Sequence, residues 1–413
     1  MIESAQVIQN SGTNNKRSLP TGWRWVKLGE VCIFLDSKRI PVSEFERTKR
    51  IRGKSQEDLF PYYGANGQTG WIDEYIFDEP LILLAEDGGN FGSKERPISY
   101  RVTGKCWVNN HAHVLHPLTD VIDFDYCYYM LCMHPDVGDI VSGSTRAKLN
   151  QNIASGIPIP LPPLPEQKRI VAILNEQLSE VEKARLTAET QLESANALNS
   201  AYLREIFNSP ESQTWEKKML KDVIVEARPG FACGTRDTKG VVQLRMNNVT
   251  TDGSFDWSSY IRIPAESETI KKYKLQSGDV LFNNTNSTEL VGKTVLFESY
   301  PEKVVYSNHF TRLRTNNRYL LPQFLSLWIQ LLWQQGFFAG ICNRWIGQSA
   351  VKSDKLLSLK IPLPSIEKQN KLSSELYIKK SSVVILRNEV TEQLKIVNSL
   401  PNNILNKAFN GEL

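Results

Sequence analysis

The chain contains two copies of one stretch of sequence. Ile159-Pro-Leu-Pro162 recurs as Ile361-Pro-Leu-Pro364 at an offset of 202 residues, and at that offset Gln167 meets Gln369, Arg169 meets Lys371 and Ile170 meets Leu372. The register continues without a gap, pairing Arg185 with Arg387, Gln191-Leu192 with Gln393-Leu394, and Leu203 and Phe207 with Leu405 and Phe409. Upstream the similarity is fainter and the offset drifts: Asn110-His111 pairs with Asn308-His309 at 198, and Trp23, Leu28 and Val31 pair with Trp215, Leu220 and Val223 at 192. Self-similarity at a fixed period means one structural unit used twice.

The back half of each copy carries a heptad series. Leu174, Val181, Ala188, Ala195 and Tyr202 lie seven apart, and Leu376, Val383, Val390, Val397 and Ile404 match them in the second copy. The companion positions Leu178, Arg185, Leu192, Asn199 and Ile206 are only partly apolar, as suits a helix with one close partner, and Leu394 answers Leu192. Pro158, Pro160, Pro162, Pro163 and Pro165 hold the preceding chain extended, so the helix is expected from near Glu166 to Phe207, 42 residues or about 63 Å. A two-fold relation between the copies makes the two helices antiparallel, because a perpendicular two-fold reverses an axis. The expected seam is Leu174, Val181, Leu192, Leu376, Val383, Val390, Leu394 and Val397. Pro401, opposite Asn199, is expected to kink or interrupt the second helix.

The front halves differ in texture. Short apolar runs such as Leu81-Ile-Leu-Leu-Ala85 and Val280-Leu-Phe282 alternate with glycine and asparagine, and each front half has a late helical pattern, Phe124 to Met133 and Pro322 to Phe338. The fold class is therefore α+β: two similar α/β domains at 21–158 and 209–360, separated by two long antiparallel helices at 159–208 and 361–413, as an internal pseudo-two-fold repeat behind a flexible tail at 1–20.

At 413 residues, 41% hydrophobic and 23% charged, the composition argues against a disordered chain, a collagen-like fibre and a pure heptad rod. The net charge of +4 permits a polyanion partner without demanding one. The N-terminus has no apolar secretory core, which predicts a cytoplasmic protein, and Ser326, Gln330, Gln334 and Gln335 make Phe324 to Ile341 too polar for a membrane span. Six dispersed cysteines read as reduced core thiols.

Catalytic signals fail on inspection. Gly292-Lys293-Thr294 has Ser287 where a phosphate loop needs glycine, and Pro135-Asp136 with Glu166-Gln-Lys168 spells a nuclease-like pattern whose second half lies at a helix entry. Cys127 and Cys132 with His134 fall in an apolar helix, which favours core cysteine over zinc, and His111 and His113 lack a matching pair beside Asn308-His309. No catalytic residue, metal ligand or cofactor site is expected.

Basic and amide side chains instead gather in loops, where Arg and Asn can pair bidentately with guanine and adenine edges and Lys and Ser suit phosphate oxygens. The candidates for DNA contact are Lys94, Arg96, Arg146 and Lys148 in the first domain, and Arg245, Asn247, Asn286, Ser287, Lys293 and Lys352 in the second. The alternative is a scaffold that holds two protein-binding α/β domains on an antiparallel coiled coil. Salt-sensitive retention of duplex DNA separates the two.

Four motifs in order resemble the specificity subunit of type I restriction–modification systems. Leu19-Pro-Thr-Gly-Trp-Arg-Trp-Val-Lys-Leu-Gly-Glu-Val31 is similar to that family's opening of a target-recognition domain, and Pro162-Pro-Leu-Pro-Glu-Gln-Lys-Arg-Ile170 to its central helix entry. Gly278-Asp-Val-Leu-Phe-Asn-Asn-Thr-Asn-Ser-Thr-Glu-Leu-Val-Gly-Lys293 and the ending Asn406-Lys-Ala-Phe-Asn-Gly-Glu-Leu413 complete the likeness, while Pro364-Ser-Ile-Glu-Lys-Gln369 departs from it by placing Lys368 where the first copy has Glu166. The resemblance implies two target-recognition domains that each read half of an interrupted, asymmetric DNA site, with the helices as a ruler. It implies that two methyltransferase subunits, which bind S-adenosylmethionine, dock on the chain, that restriction subunits can join them, and that this chain performs no chemistry. Glu166, Gln167, Arg169 and Gln369 are the partner contacts it suggests.

Overall fold

A computed structural model describes residues 18–143 and 147–413. Residues 1–17 of the expected tail, and the candidate Arg146, lie outside the described residues. The chain divides into two compact units, residues 1–189 with 392–413, and residues 190–391.

In the first unit Arg24–Lys27 pairs antiparallel with Pro158–Leu161. Prolines lack an N–H and hold an extended φ, so they suit such a two-stranded ribbon better than a sheet interior. The main sheet has four strands in the order Cys32–Phe34, Ala112–Pro117, Leu81–Ala85, Ser99–Val102. Leu81–Ala85 is buried throughout, as an unbroken apolar run requires. A second sheet orders Gly67–Ile72, Phe60–Gly64, Lys105–Val108 and Phe77–Asp78, with the middle pair parallel. Helix Phe124–Cys132 starts at Asp123, whose carboxylate accepts from the N–H groups of Asp125 and Tyr126. It packs Tyr126, Cys127, Met130 and Leu131 into a core shared with Val31, Ile82, Leu115 and Ile170.

The same plan returns in the second unit. Glu216–Met219 pairs with Lys360–Leu363, and four strands follow the matching order Ile224–Pro229, Phe310–Thr315, Asp279–Asn283, Thr294–Phe297. Val241–Leu244 again has one antiparallel neighbour, Ile261–Ile263, and one parallel neighbour, Val304–Tyr306. The repeat thus reaches through the front halves, where sequence similarity is faint, because a buried strand needs apolar volume more than particular side chains. Asn343–Trp345 and Gln348–Ala350 add a hairpin that pairs with Thr285–Asn286. Helix Pro322–Gln334 stops short of Phe338, since Gly336 takes a left-handed φ of 72° that ends the helix, and Phe337–Ile341 forms a separate turn.

The long helices are Leu164–Phe207 and Ile366–Asn410, 44 and 45 residues. In the first unit Ile170 and Leu174, near the start of one, share a core with Leu405, Ala408 and Phe409, near the end of the other. In the second, Leu203 and Phe207 share a core with Leu376. Start meets end in each unit, so the pairing is antiparallel. The first helix begins two residues before Glu166, with Pro165 in the first turn, where its missing N–H is not needed. The second helix runs on through Pro401 without interruption, which corrects that half of the expectation. The proline forfeits a single intrahelical bond, and burial of Leu405, Ala408 and Phe409 beyond it holds the last turns in place.

Leu174, Leu376, Val383 and Val390 are buried, while Val181, Leu192, Leu394 and Val397 are half-buried. All six cysteines are free; Cys32, Cys106, Cys127 and Cys132 are core residues, but Cys233 and Cys342 are half-exposed loop and turn residues, which corrects the reading of all six as core thiols. Among the described residues, no helix is long and apolar enough to cross a membrane.

Candidate nucleic-acid interface

Two glutamines fix the junction between each front half and its long helix. Gln167 and Gln369 are fully buried. Gln167 Oε1 accepts from the Asp123 N–H at 2.7 Å, and its Nε2 donates to the carbonyls of Pro162 at 2.8 Å and Val121 at 3.2 Å. Gln369 repeats this: Oε1 accepts from the Leu321 N–H at 2.9 Å, and Nε2 donates to Tyr319 at 2.8 Å and Pro364 at 2.9 Å. The expectation that both face a partner is therefore corrected, because every amide bond they make is spent inside their own unit. Glu166 and Arg169 do lie at the surface, where Arg169 donates to both Glu166 carboxylate oxygens and to the Leu413 carbonyl at 2.7 Å. The guanidinium holds the Glu166 carboxyl below its ordinary range. In the second copy Lys368 pairs with Glu211 at 3.0 Å instead.

The loops singled out in the sequence leave the same end of the sheets. In the first unit Glu86–Gly88 follows Leu81–Ala85, and Asn109 to His111 leads into Ala112–Pro117. Asn109 Oδ1 accepts the His111 N–H, and His111 Nδ1 lies 2.7 Å from Asp87, so Asn110-His111 sits in a structural turn. In the second unit Arg245 follows Val241–Leu244, Asn284 to Ser287 follows Asp279–Asn283, and Asn308-His309 leads into Phe310–Thr315. Loops at the ends of rigid strands can present a constellation of side chains to a ligand without deforming the sheet.

Of the candidates, Lys94, Arg96, Lys148, Arg245, Asn247 and Lys352 are exposed. Arg96 and Glu95 line a cleft whose opposite wall is Leu178, Val181, Glu182, Arg185, Val397, Asn398 and Pro401. Ser93 Oγ accepts from the Glu95 and Arg96 N–H groups and sets that loop. Lys148 is 3.3 Å from Glu86. Burial, with the charge of nearby Arg245, lowers the His309 pKa. Ser287 is half-buried and its hydroxyl serves Glu289.

Asn286 and Lys293 do not face solvent, and the structure corrects both. Asn286 Nδ2 donates to Asn283 Oδ1 at 2.6 Å, and Asn283 in turn donates to the carbonyls of Thr285 and His309. The Lys293 ammonium turns inward onto the carbonyls of Val249 and Met246, and burial lowers its pKa. It holds the turn Met246–Asn248, and therefore Arg245 and Asn247, from beneath. The alternating polar run at 283–287 carried no sign of which residues turn inward.

Beneath the first unit's loops, Asp36, Glu86 and His113 come close enough to share a cation. Their donor atoms already have partners. Asp36 accepts from the Val114 N–H and lies 2.6 Å from His113 Nδ1, His113 Nε2 lies 2.7 Å from the Leu149 carbonyl, and Glu86 pairs with Arg39 at 2.8 Å. The set fits an internal ion-pair cluster rather than a metal centre. Although burial opposes it, the hydrogen bonds from His113 and the Val114 N–H, with Arg39 alongside, lower the Asp36 pKa.

The model of the type I restriction modification DNA specificity domain matches this chain twice, at residues 20–191 and 212–394. The chain belongs to that family. The specificity subunit of type I restriction enzyme StySPI from Salmonella potsdam is 27% identical over 97% of this chain and 91% of its own length. A specificity subunit assigned to a type I restriction enzyme of Haemophilus influenzae is 25% identical over 90% of each chain. One from Methanocaldococcus jannaschii reaches 30% identity, but over 50% of this chain and 47% of its own length. Among solved structures, a chain from a type I restriction–modification complex aligns over 96% of this chain and all of its own with a TM-score of 0.72 at 18% identity, which shows the shared fold. The HsdS subunit of Thermoanaerobacter tengcongensis aligns with a TM-score of 0.57 at 20% identity, over 97% of this chain and all of its own. As a member of this family the chain is a non-catalytic specificity component with target-recognition domains.

Proposed function

We propose that the chain reads a bipartite, asymmetric DNA sequence, one half-site per α/β domain, and directs adenine methylation and restriction by partner subunits. Two methyltransferase subunits bring S-adenosylmethionine, restriction subunits join them, and the complex works in the cytoplasm. The observation that carries this reading is the duplication itself: two matched specificity domains have the same strand order but different side chains in their strand-end loops. Equal scaffolds with unequal loops suit two different half-sites.

Exposed Lys94, Lys148 and Lys352 would neutralise phosphates, and Arg245, Asn247 and Arg96 would meet base edges. Each phosphate contact makes affinity fall by about 0.9 log units per log unit of salt. The long helices, about 66 Å each at 1.5 Å per residue, are the ruler. Inserting one turn in both adds about 5.4 Å and should lengthen the preferred gap by one or two base pairs. The test is to map methylated adenines in the host with and without this chain: a split motif that disappears with the chain supports the reading, and unchanged methylation refutes it.

A further inference from the structure

Trp345 and Ile346 form the tip of the hairpin between Asn343–Trp345 and Gln348–Ala350, and both are open to solvent, at 60% and 106% exposure. Two large apolar side chains in water are unfavourable in proportion to their area, so such a pair points to a ligand. The mount beneath them is firm. Arg344 pairs with Ser349 and Trp345 with Gln348, while Thr285 and Asn286 pair with Ala350 and Ser349 on the other side. Thr288 and Ser349 hydroxyls are hydrogen-bonded at 2.8 Å, the Val351 N–H donates to the Asn284 carbonyl at 2.9 Å, and Gly347, at φ 77°, makes the reversal. The tip therefore extends from the strand that pairs with the Asn284 to Ser287 segment, at the sheet ends that also carry Arg245 and Asn247.

Arg344 and exposed Lys352 flank the tip, and Glu289 is the carboxylate close enough to act on Arg344. The equivalent loop of the first unit is identified by its bridges, Ser142 and Asp87 each to Lys148, and its sequence Gly143-Ser-Thr-Arg-Ala147 contains no large apolar residue. An apolar pair between cations fits a nucleic-acid groove, where phosphates meet the charges and an unstacked base meets the ring.

We propose that Trp345 and Ile346 are a wedge that enters a groove of the duplex and opens one base step, in the half-site read by the second domain alone. This rests on the DNA-reading function above. Arg344 and Lys352 hold the flanking phosphates, and the indole face replaces the lost stacking partner.

The test uses the full chain and a duplex it selects from a randomised pool, with 2-aminopurine placed in turn at each step. The expected result is a fluorescence rise on binding at one step of one half-site and none in the other. Trp345→Ala combined with Ile346→Ala should abolish that rise and weaken binding about tenfold, as loss of one base–aromatic stack does, while Trp345→Phe keeps the rise. Both residues are solvent-exposed, so the substitutions spare the fold. A double variant that binds and fluoresces like the wild type, or a wild type that opens no step, overturns the wedge while DNA reading stands. A wild-type chain that selects no duplex overturns DNA reading itself, and the wedge with it.

Discussion

The two units share their strand order and their glutamine clips, yet fill the same four-stranded sheet differently. In the first, Asp36, His113, Glu86 and Arg39 form the buried charge set, anchored on Ala112–Pro117 and the loops beside it. In the second, Arg312 on Phe310–Thr315 donates to Glu226 at 2.7 Å and Arg314 to Asp279 at 2.6 Å, with Glu226 also serving Arg228. The helix contacts differ as well. Half-buried Lys380 donates to the Asp252 carbonyl at 2.9 Å and to Gln330 Oε1 at 3.2 Å, whereas the matching position in the first copy is Leu178, which lines an open cleft. What is shared is the strand order and the glutamine clip at each helix entry; what differs is the buried charge set, the helix contact at Leu178 and Lys380, and the strand-end loops. A duplicated reader that must distinguish two half-sites should diverge in just this way.

The comparison can be broken first at Arg312. Arg312→Met leaves Glu226 and Asp279 short of a buried cation and should destabilise the second unit by about 3 kcal/mol, the scale of a broken buried pair. Hydrogen exchange should speed up in Phe310–Thr315 and remain unchanged in Ala112–Pro117. Next come the clips. Gln167→Ala and Gln369→Ala each strand a buried N–H and two carbonyls, and each should cost about 2–3 kcal/mol by denaturant unfolding. Equal losses support equivalent roles, and a loss confined to one copy breaks the equivalence.

Base contacts come third. Arg245→Ala and Asn247→Ala should each weaken cognate binding by about 1–3 kcal/mol. Lys293→Gln should act through the turn it supports, lowering stability together with affinity. The smallest effect is on the acid side. Asp36 and Glu226 both have folded pKa values below the ordinary carboxylate range; for Glu226 burial opposes the shift, and the Arg228 and Arg312 hydrogen bonds overcome it. Their stabilisation is therefore present above the unfolded-state values, about pH 4 for Asp36 and about pH 4.5 for Glu226, and is lost as pH falls through the lowered folded values. Asp36→Asn should flatten the acid limb of unfolding in the first unit, and Glu226→Gln in the second.

How much of this was legible in the sequence depends on how local each signal is. The long helices were readable because a heptad stripe recurs every two turns and the two copies corroborate one another. The apolar runs at 81–85 and 280–282 marked strands, but not their shared order, since pairing joins segments far apart in sequence. Gln167 and Gln369 stood out by their exact match at offset 202 and were assigned to partner contact by the family resemblance; nothing local says that the amide closes three backbone bonds inside. Asn286 and Lys293 were misplaced for the same reason: residue type records what a side chain can bond, while the pairing of Thr285–Asn286 with Gln348–Ala350 decides which way it points. Trp345-Ile346, two bulky apolar residues before Gly347, stands in the sequence as a local sign that residue-by-residue selection of basic and amide side chains passes over.

The central claim is that the two domains read separate halves of one DNA site. The most direct measurement is the methylated-adenine motif of a host carrying Arg245→Ala with Asn247→Ala, set beside that of the wild type. The account predicts a split motif in which one half becomes degenerate while the other half and the gap are unchanged. Degeneracy in both halves, or a motif unaltered at every position, would contradict it.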